Sequence, residues 1–138
     1  MADLQGTLRS FFRYFDQQDY ATVLKKVDAN AEGSDEITRK WIRGKKAFEA
    51  YIKRVGPEIS DVKTRLSNIQ TRRAGNVGLV TYNAVQFYTL SGERHDLKFV
   101  ASTVLLKRGK DWKMTMIHMT PVGGSEGLAS QEGRPFIG

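Results

Sequence analysis

The chain has 138 residues, an ordinary globular balance of 40% hydrophobic and 27% charged side chains, and a formal net charge of +7. That is one domain's worth of sequence, able to bury its own core, and intrinsic disorder is not its default state. It contains no cysteine, which excludes disulfides, thiolate nucleophiles and cysteine-ligated zinc together.

Leu4, Leu8, Phe11, Phe12 and Phe15 recur at helical spacing, with Asp3 placed to cap the segment. Gly6 weakens its first turns by up to about 1 kcal/mol relative to alanine. A second, shorter helix starts after Asp19 and buries Tyr20, Val23, Leu24 and Val27. Residues 28–40, mixed polar and acidic, read as a loop or a short irregular strand. A third helix begins near Gly44, with Ala47, Phe48, Tyr51, Ile52 and Val55 on its inner face. It ends at Gly56-Pro57, where glycine is expected as a left-handed cap and proline stops the helix.

Beyond Pro57 the pattern turns to strands. From Asp61 to Arg73 the parity of Val62 and Leu66 changes at Ile69, which predicts a β-bulge. Val77 to Leu90, Leu97 to Lys107 and Trp112 to Pro121 are long strands rich in Val, Thr and aromatics. Short turns at Ala74-Gly75-Asn76, Ser91-Gly92 and Arg108-Gly109-Lys110-Asp111 make successive antiparallel hairpins. Helices first and a β-meander last is an α+β pattern: three N-terminal helices packed on a strongly curved antiparallel sheet, with a cavity on its concave side. In Val77 to Leu90, Leu79, Val85 and Phe87 face one way while Val80, Tyr82, Tyr88 and Leu90 face the other. Apolar residues on both faces predict a homodimer through the outer sheet face. Residues 1–122 form the expected domain, and 123–138, rich in Gly and Ser, a flexible tail.

Four stretches resemble the nuclear-transport-factor-two-like superfamily, in its SnoaL-like and ketosteroid-isomerase-like branch. They are Phe12-Arg13-Tyr14-Phe15-Asp16-Gln17-Gln18-Asp19-Tyr20, Arg43-Gly44-Lys45-Lys46-Ala47-Phe48-Glu49-Ala50-Tyr51, Ser102-Thr103-Val104-Leu105-Leu106-Lys107-Arg108, and Trp112 through Thr120. The resemblance implies a cone-shaped half-barrel of the cystatin-like kind. It also places two titratable residues in the cavity: Asp35, nine residues before Gly44, as a proton shuttle, and His118, six residues after Trp112, on the same strand face. The plainer alternatives are a solvated acidic loop and a structural histidine. His95, beside the Ser91-Gly92 turn, reads as exposed.

The isomerase version needs two donors at an enolate oxygen. By the same resemblance, the first position holds Phe11 and the second falls near Ala101 or Ser102, which counts against steroid isomerisation. Tyr14 reaches the cavity only from a flanking angle. Phe11, Phe15, Trp41, Tyr82 and Met116 are the expected walls, with core packing as the alternative for the aromatics. No metal pattern, phosphate-cradling loop or nucleophile elbow is present, so no metal and no cofactor are expected. Basic residues crowd Arg39 to Arg54 and recur at Arg72-Arg73 and Lys107-Arg108-Lys110, which makes nucleic acid a lesser partner candidate.

No apolar run is long enough to span a membrane and no basic leader precedes one, so a cytoplasmic location is expected. The leading function is binding of a small, largely apolar molecule, with a cofactor-independent isomerase, cyclase or lyase as its catalytic version. The rivals are a non-catalytic binding or assembly module and a basic nucleic-acid-binding accessory domain.

Overall fold

The computed structural model describes residues 3–35 and 40–122, the Asp35 side chain excepted; the expected tail at 123–138 lies outside them. The first helix, α1 (Leu4–Asp16), is capped as its sequence requires: Asp3 Oδ1 accepts from the Gly6 amide at 2.6 Å. Leu8, Phe11 and Phe12 go to its buried face. Helix α2 (Tyr20–Lys25) is capped by Asp19, which accepts from the Thr22 amide at 3.2 Å and the Thr22 hydroxyl at 2.7 Å.

Of the two readings of residues 28–40, the strand is the one observed: β1 (Val27–Asp35) pairs antiparallel with β2 (Lys40–Arg43). What holds β1 is packing that its polar sequence hides. Ala31 is completely buried, and Gly33 lies so close to Phe48 that a β-carbon there would come within 2.9 Å of the ring. Helix α3 (Lys45–Val55) follows and passes into a 3₁₀ turn at Gly56–Glu58. Gly56 is not the expected left-handed cap, since its φ is −52°. Glycine is needed there because a β-carbon would meet the Tyr20 ring at 2.7 Å.

The meander consists of β3 (Ile59–Ala74), β4 (Val77–Leu90), β5 (Glu93–Arg108) and β6 (Asp111–Pro121). All six strands join one sheet in the order β2-β1-β6-β5-β4-β3. Its pairs are antiparallel except β1 with β6, which run parallel. The expected bulge in β3 is present: the register shifts between Ser67 and Gln70, with Asn68 at φ 50°. Strands of this length twist, and bulges bend them further, so the sheet curves around the helices without closing.

The core sits between α1 and the concave face, around Leu8, Val80, Leu105 and Met114. Helix α1 approaches β4 closely enough that a β-carbon at Gly78 would overlap the Leu4 side chain. At the hairpin end of the sheet, Arg108 Nε donates to Asp28 Oδ1 at 2.9 Å and Nη2 to Oδ2 at 3.5 Å. This bond ties β1 to the β5–β6 turn and, against the opposing effect of burial, holds the Asp28 carboxyl below its usual value.

Candidate functional site

Along β4 the residues of even number face inward, because Gly78, Val80, Tyr82 and Ala84 are buried. The first half of that row is covered by α1. The second half, Gln86, Tyr88 and Leu90, runs past the end of α1 and leaves a hollow of about 210 Å³. From the helices Phe15, Tyr20, Tyr51, Ile52 and Val55 close it, and Leu97 and Ile59 complete the sheet side. Phe15 and Tyr20 meet edge to face at 5.7 Å, so this wall is fixed by aromatic packing.

The lining is apolar and aromatic with a few polar groups. Gln86 is the most firmly placed of these. Its amide Nε2 donates to Thr64 Oγ1 at 3.1 Å. Thr64 in turn donates from its hydroxyl to Asp16 Oδ1 at 2.7 Å and from its backbone N–H to Oδ2 at 2.8 Å. The chain fixes the Gln86 amide and leaves its carbonyl oxygen as an acceptor. Glu58 lines the rim. Tyr88 stacks on His95, its partner across the β4–β5 ladder, with ring centroids 5.5 Å apart and planes 20° from parallel. His95 Nε2 lies 3.8 Å from Glu93 Oε2, and the imidazole is 38% exposed. His95 is thus only partly exposed and belongs to the surroundings of the hollow. Its odd parity with Leu97 and Phe99 was the signal for this in the sequence.

His118 lies elsewhere. Leu105 pairs with Met114 and Val104 with Met116, so the register slips by one at Thr115. Before the slip Trp112 and Met114 are buried; after it the inward residues are Ile117 and Met119. His118, opposite Ser102, is turned to the outer face and exposed, contrary to the expectation that it shares the face of Trp112. Its ring stacks on Trp41, itself 51% exposed, at 6.5 Å and 27°. Met116, opposite Val104, belongs to the same outer row. The slip reverses the side chains because strand parity has a period of two.

Of the other expected wall residues, Phe15 lines the hollow. Phe11 and Tyr82 instead fill the core: Phe11 packs edge-on against Phe12 at 5.3 Å, and Phe12 against Tyr82 at 5.9 Å. The Tyr82 hydroxyl is bonded to Thr103 Oγ1 at 3.0 Å. Tyr14 is half-buried, with Arg13 and Lys26 each 5.4 Å from its ring centre. Asp35 ends β1 opposite Lys40, its side chain outside the described residues. Among the described residues no group of three or more His, Cys, Asp or Glu side chains could hold a metal, and no helix is long and apolar enough to cross a membrane.

A family model described as a SnoaL-like domain matches residues 5–122. The chain is similar in structure to a ketosteroid isomerase-like protein from Erwinia carotovora atroseptica, with TM-score 0.75 at 11% identity over 88% of this chain and 95% of the other. It is also similar to the CaMKII hub of S. rosetta, with TM-score 0.73 at 15% identity over 86% and 94%. A third is the beta subunit of the benzoate 1,2-dioxygenase of Burkholderia mallei, with TM-score 0.75 at 16% identity over 93% and 95%. No curated protein matches the sequence. At these identities the likeness to solved structures is one of fold, the nuclear-transport-factor-two-like cone.

Proposed function

The chain belongs to the SnoaL-like domain family, and from that premise we propose that it binds a small, largely apolar molecule in the hollow beneath α3 and associates with a second copy through its outer sheet face. The observation that carries the first half is the lining: aromatic and aliphatic walls around a single well-anchored amide, Gln86. At about 210 Å³ the hollow exceeds the ~150 Å³ that admits benzene but falls below the roughly 300–1,000 Å³ of drug-sized sites. A molecule of one or two rings carrying a hydrogen-bond donor for the Gln86 carbonyl suits it.

Binding is preferred to catalysis because the acid–base chemistry assigned to His118 needs its imidazole in the cavity, and His118 is turned to the outer face of the sheet. The structural neighbours carry different roles in their descriptions, so the reading rests on the site rather than on the fold. Titration with 2-naphthol, followed by tyrosine and tryptophan fluorescence, tests it. Saturable binding is expected, weakened by Gln86→Leu and abolished by Leu97→Trp, which fills the space. Equal binding by the filled variant would refute the assignment.

The second half rests on the outer face. Leu79, Val104 and Met116 lie side by side across β4, β5 and β6, and farther along the same face Val100 and Trp41 are 44% and 51% exposed. An apolar strip of this kind across a sheet is unusual on a monomer and suits a two-fold contact. Sedimentation velocity should show a dimer that Val100→Glu dissociates. A monomer at every concentration would remove this part while leaving the hollow untouched. The outer face also supports a second reading, an assembly module whose hollow holds nothing; saturable 2-naphthol binding decides against it.

A further inference from the structure

Where the β5–β6 turn meets the helices, a second concavity of about 800 Å³ opens on the side of the molecule away from Tyr88 and Leu90. Five lysines line it: Lys25 and Lys26 from the end of α2, Lys107 and Lys110 from the hairpin, and Lys113 from β6. Asp111 is the one acid in the lining. Three hydroxyls, from Thr7, Ser10 and Thr22, occupy the helical wall. From these we infer a binding site for a compact, multiply charged anion of the oligophosphate class, a triphosphate or a metabolite bearing several phosphates. This inference is independent of the apolar hollow and of the sheet face.

Four of these ammonium groups, those of Lys25, Lys26, Lys110 and Lys113, keep donors for a ligand. The ammonium groups of Lys25 and Lys110 have no hydrogen-bond or ion-pair partner among the described residues. Lys113 donates to the Lys25 carbonyl and Lys26 lies over the Tyr14 ring, so both ammonium groups keep donors for a ligand. Arg108 differs, since its guanidinium is engaged by Asp28. Like charges gathered in a concave site focus the field on an entering anion, and the net +7 of the chain attracts it from a distance.

The shape and the aromatic content select the ligand. Trp112 forms the floor but is only 5% exposed, and Arg73 and Lys107 lie 5.0 and 5.7 Å from its ring centre. No open aromatic face is therefore offered for a base to stack on, as single-stranded nucleic acids require. The other basic stretch, residues 39–54, contributes Lys45 and Lys53 to a concavity of about 890 Å³, but that lining holds three lysines rather than five, and an acid, Glu49, beside them. In the same stretch Arg43 is paired with Glu32 at 3.1 Å and Lys53 with Glu49 at 3.6 Å. The Thr7 and Thr22 hydroxyls donate to the Asp3 carbonyl and to Asp19, so what remains is recognition of phosphate by charge, with the Ser10 hydroxyl as a donor, within a bounded volume.

The test uses the full chain and inorganic tripolyphosphate, titrated by calorimetry at low and physiological salt. Saturable binding is expected, weakening with salt. The double variant Lys25→Gln/Lys110→Gln should lose about tenfold in affinity, as should Lys110→Glu alone, while Lys46→Gln/Lys63→Gln, equal in charge but outside the cleft, should lose little. Melting temperatures within a few degrees of the parent show that the variants are folded, since all of these side chains are surface lysines. The inference is overturned by an absence of binding at low salt, or by equal losses in the two double variants, which would mark an effect of bulk charge. It is also overturned if duplex DNA binds through Lys25 and Lys110 while tripolyphosphate does not.

Discussion

Replacing Tyr82 by Phe, Thr103 by Val, and both together probes the buried polar pair at the centre of the sheet. Tyr82 is 3% exposed and Thr103 fully buried, and their hydroxyls are bonded to each other at 3.0 Å. Either single change leaves one buried hydroxyl without its partner, at a cost of about 1–3 kcal/mol. The double variant removes both hydroxyls at nearly constant shape and should lie within about 1 kcal/mol of the parent. A coupling of roughly 2 kcal/mol is therefore expected from urea unfolding, with each single variant melting several degrees lower. The pair also has an alkaline signature. Burial pushes the Tyr82 phenol up from 10.0 to about 12, against the opposing effect of the Thr103 bond. A folded-state value above the unfolded one means this contribution is complete below pH 10 and lost as the pH rises through 12. The parent should thus lose about 3 kcal/mol over that window through this group, and Tyr82→Phe should lack that part of the decline. Additive single effects, or parallel alkaline limbs in parent and Tyr82→Phe, would refute the reasoning.

Three further outcomes are expected. Gly78→Ala should destabilise by about 1–3 kcal/mol because the added methyl overlaps Leu4, and Leu4→Ala in the same chain should cost less than the two changes summed, as read from denaturant midpoints. Leu8→Ala, at a fully buried position facing the sheet, should cost about 3–5 kcal/mol, and a cost below 1 kcal/mol would contradict the packing of α1. The Asp28 carboxyl is lowered chiefly by its bond from Arg108, so its contribution is complete above the unfolded value near 3.8 and lost as the pH falls through the folded one. Asp28→Asn should be less stable than the parent at neutral pH, and thermal melts should show the gap closing in acid.

The sequence by itself determined whatever depends on near neighbours in the chain. The stripe from Leu4 to Phe15 and the Asp3 and Asp19 caps are local, and so are the hairpin turns. The β3 bulge could be read because Val62 and Leu66 are separated in parity from Ile69 by polar residues, so the break shows as a break. The corresponding slip in β6 left no such mark. Met114 and Met116 are equally apolar on either side of Thr115, and only pairing with Leu105 and Val104 of β5 assigns them to opposite faces. That register sends His118 outward, and a single chain of alternating residues cannot fix it, since one step of slip reverses every side chain beyond it.

The strand character of β1 was hidden for a similar reason: Ala31 is fully buried, and Gly33 is small because Phe48 of α3 and the Ile117 carbonyl of β6 press on it, a demand made by partners distant in sequence. The hollow, likewise, is set by where α1 stops relative to the inner row of β4. Gln86, Tyr88 and Leu90 continue the same alternation that buries Val80 and Tyr82, and they line a space only because the helix above them has ended. Alternation told which side chains point inward; the lengths and crossing of the packed elements decided which of them meet another side chain and which meet a cavity.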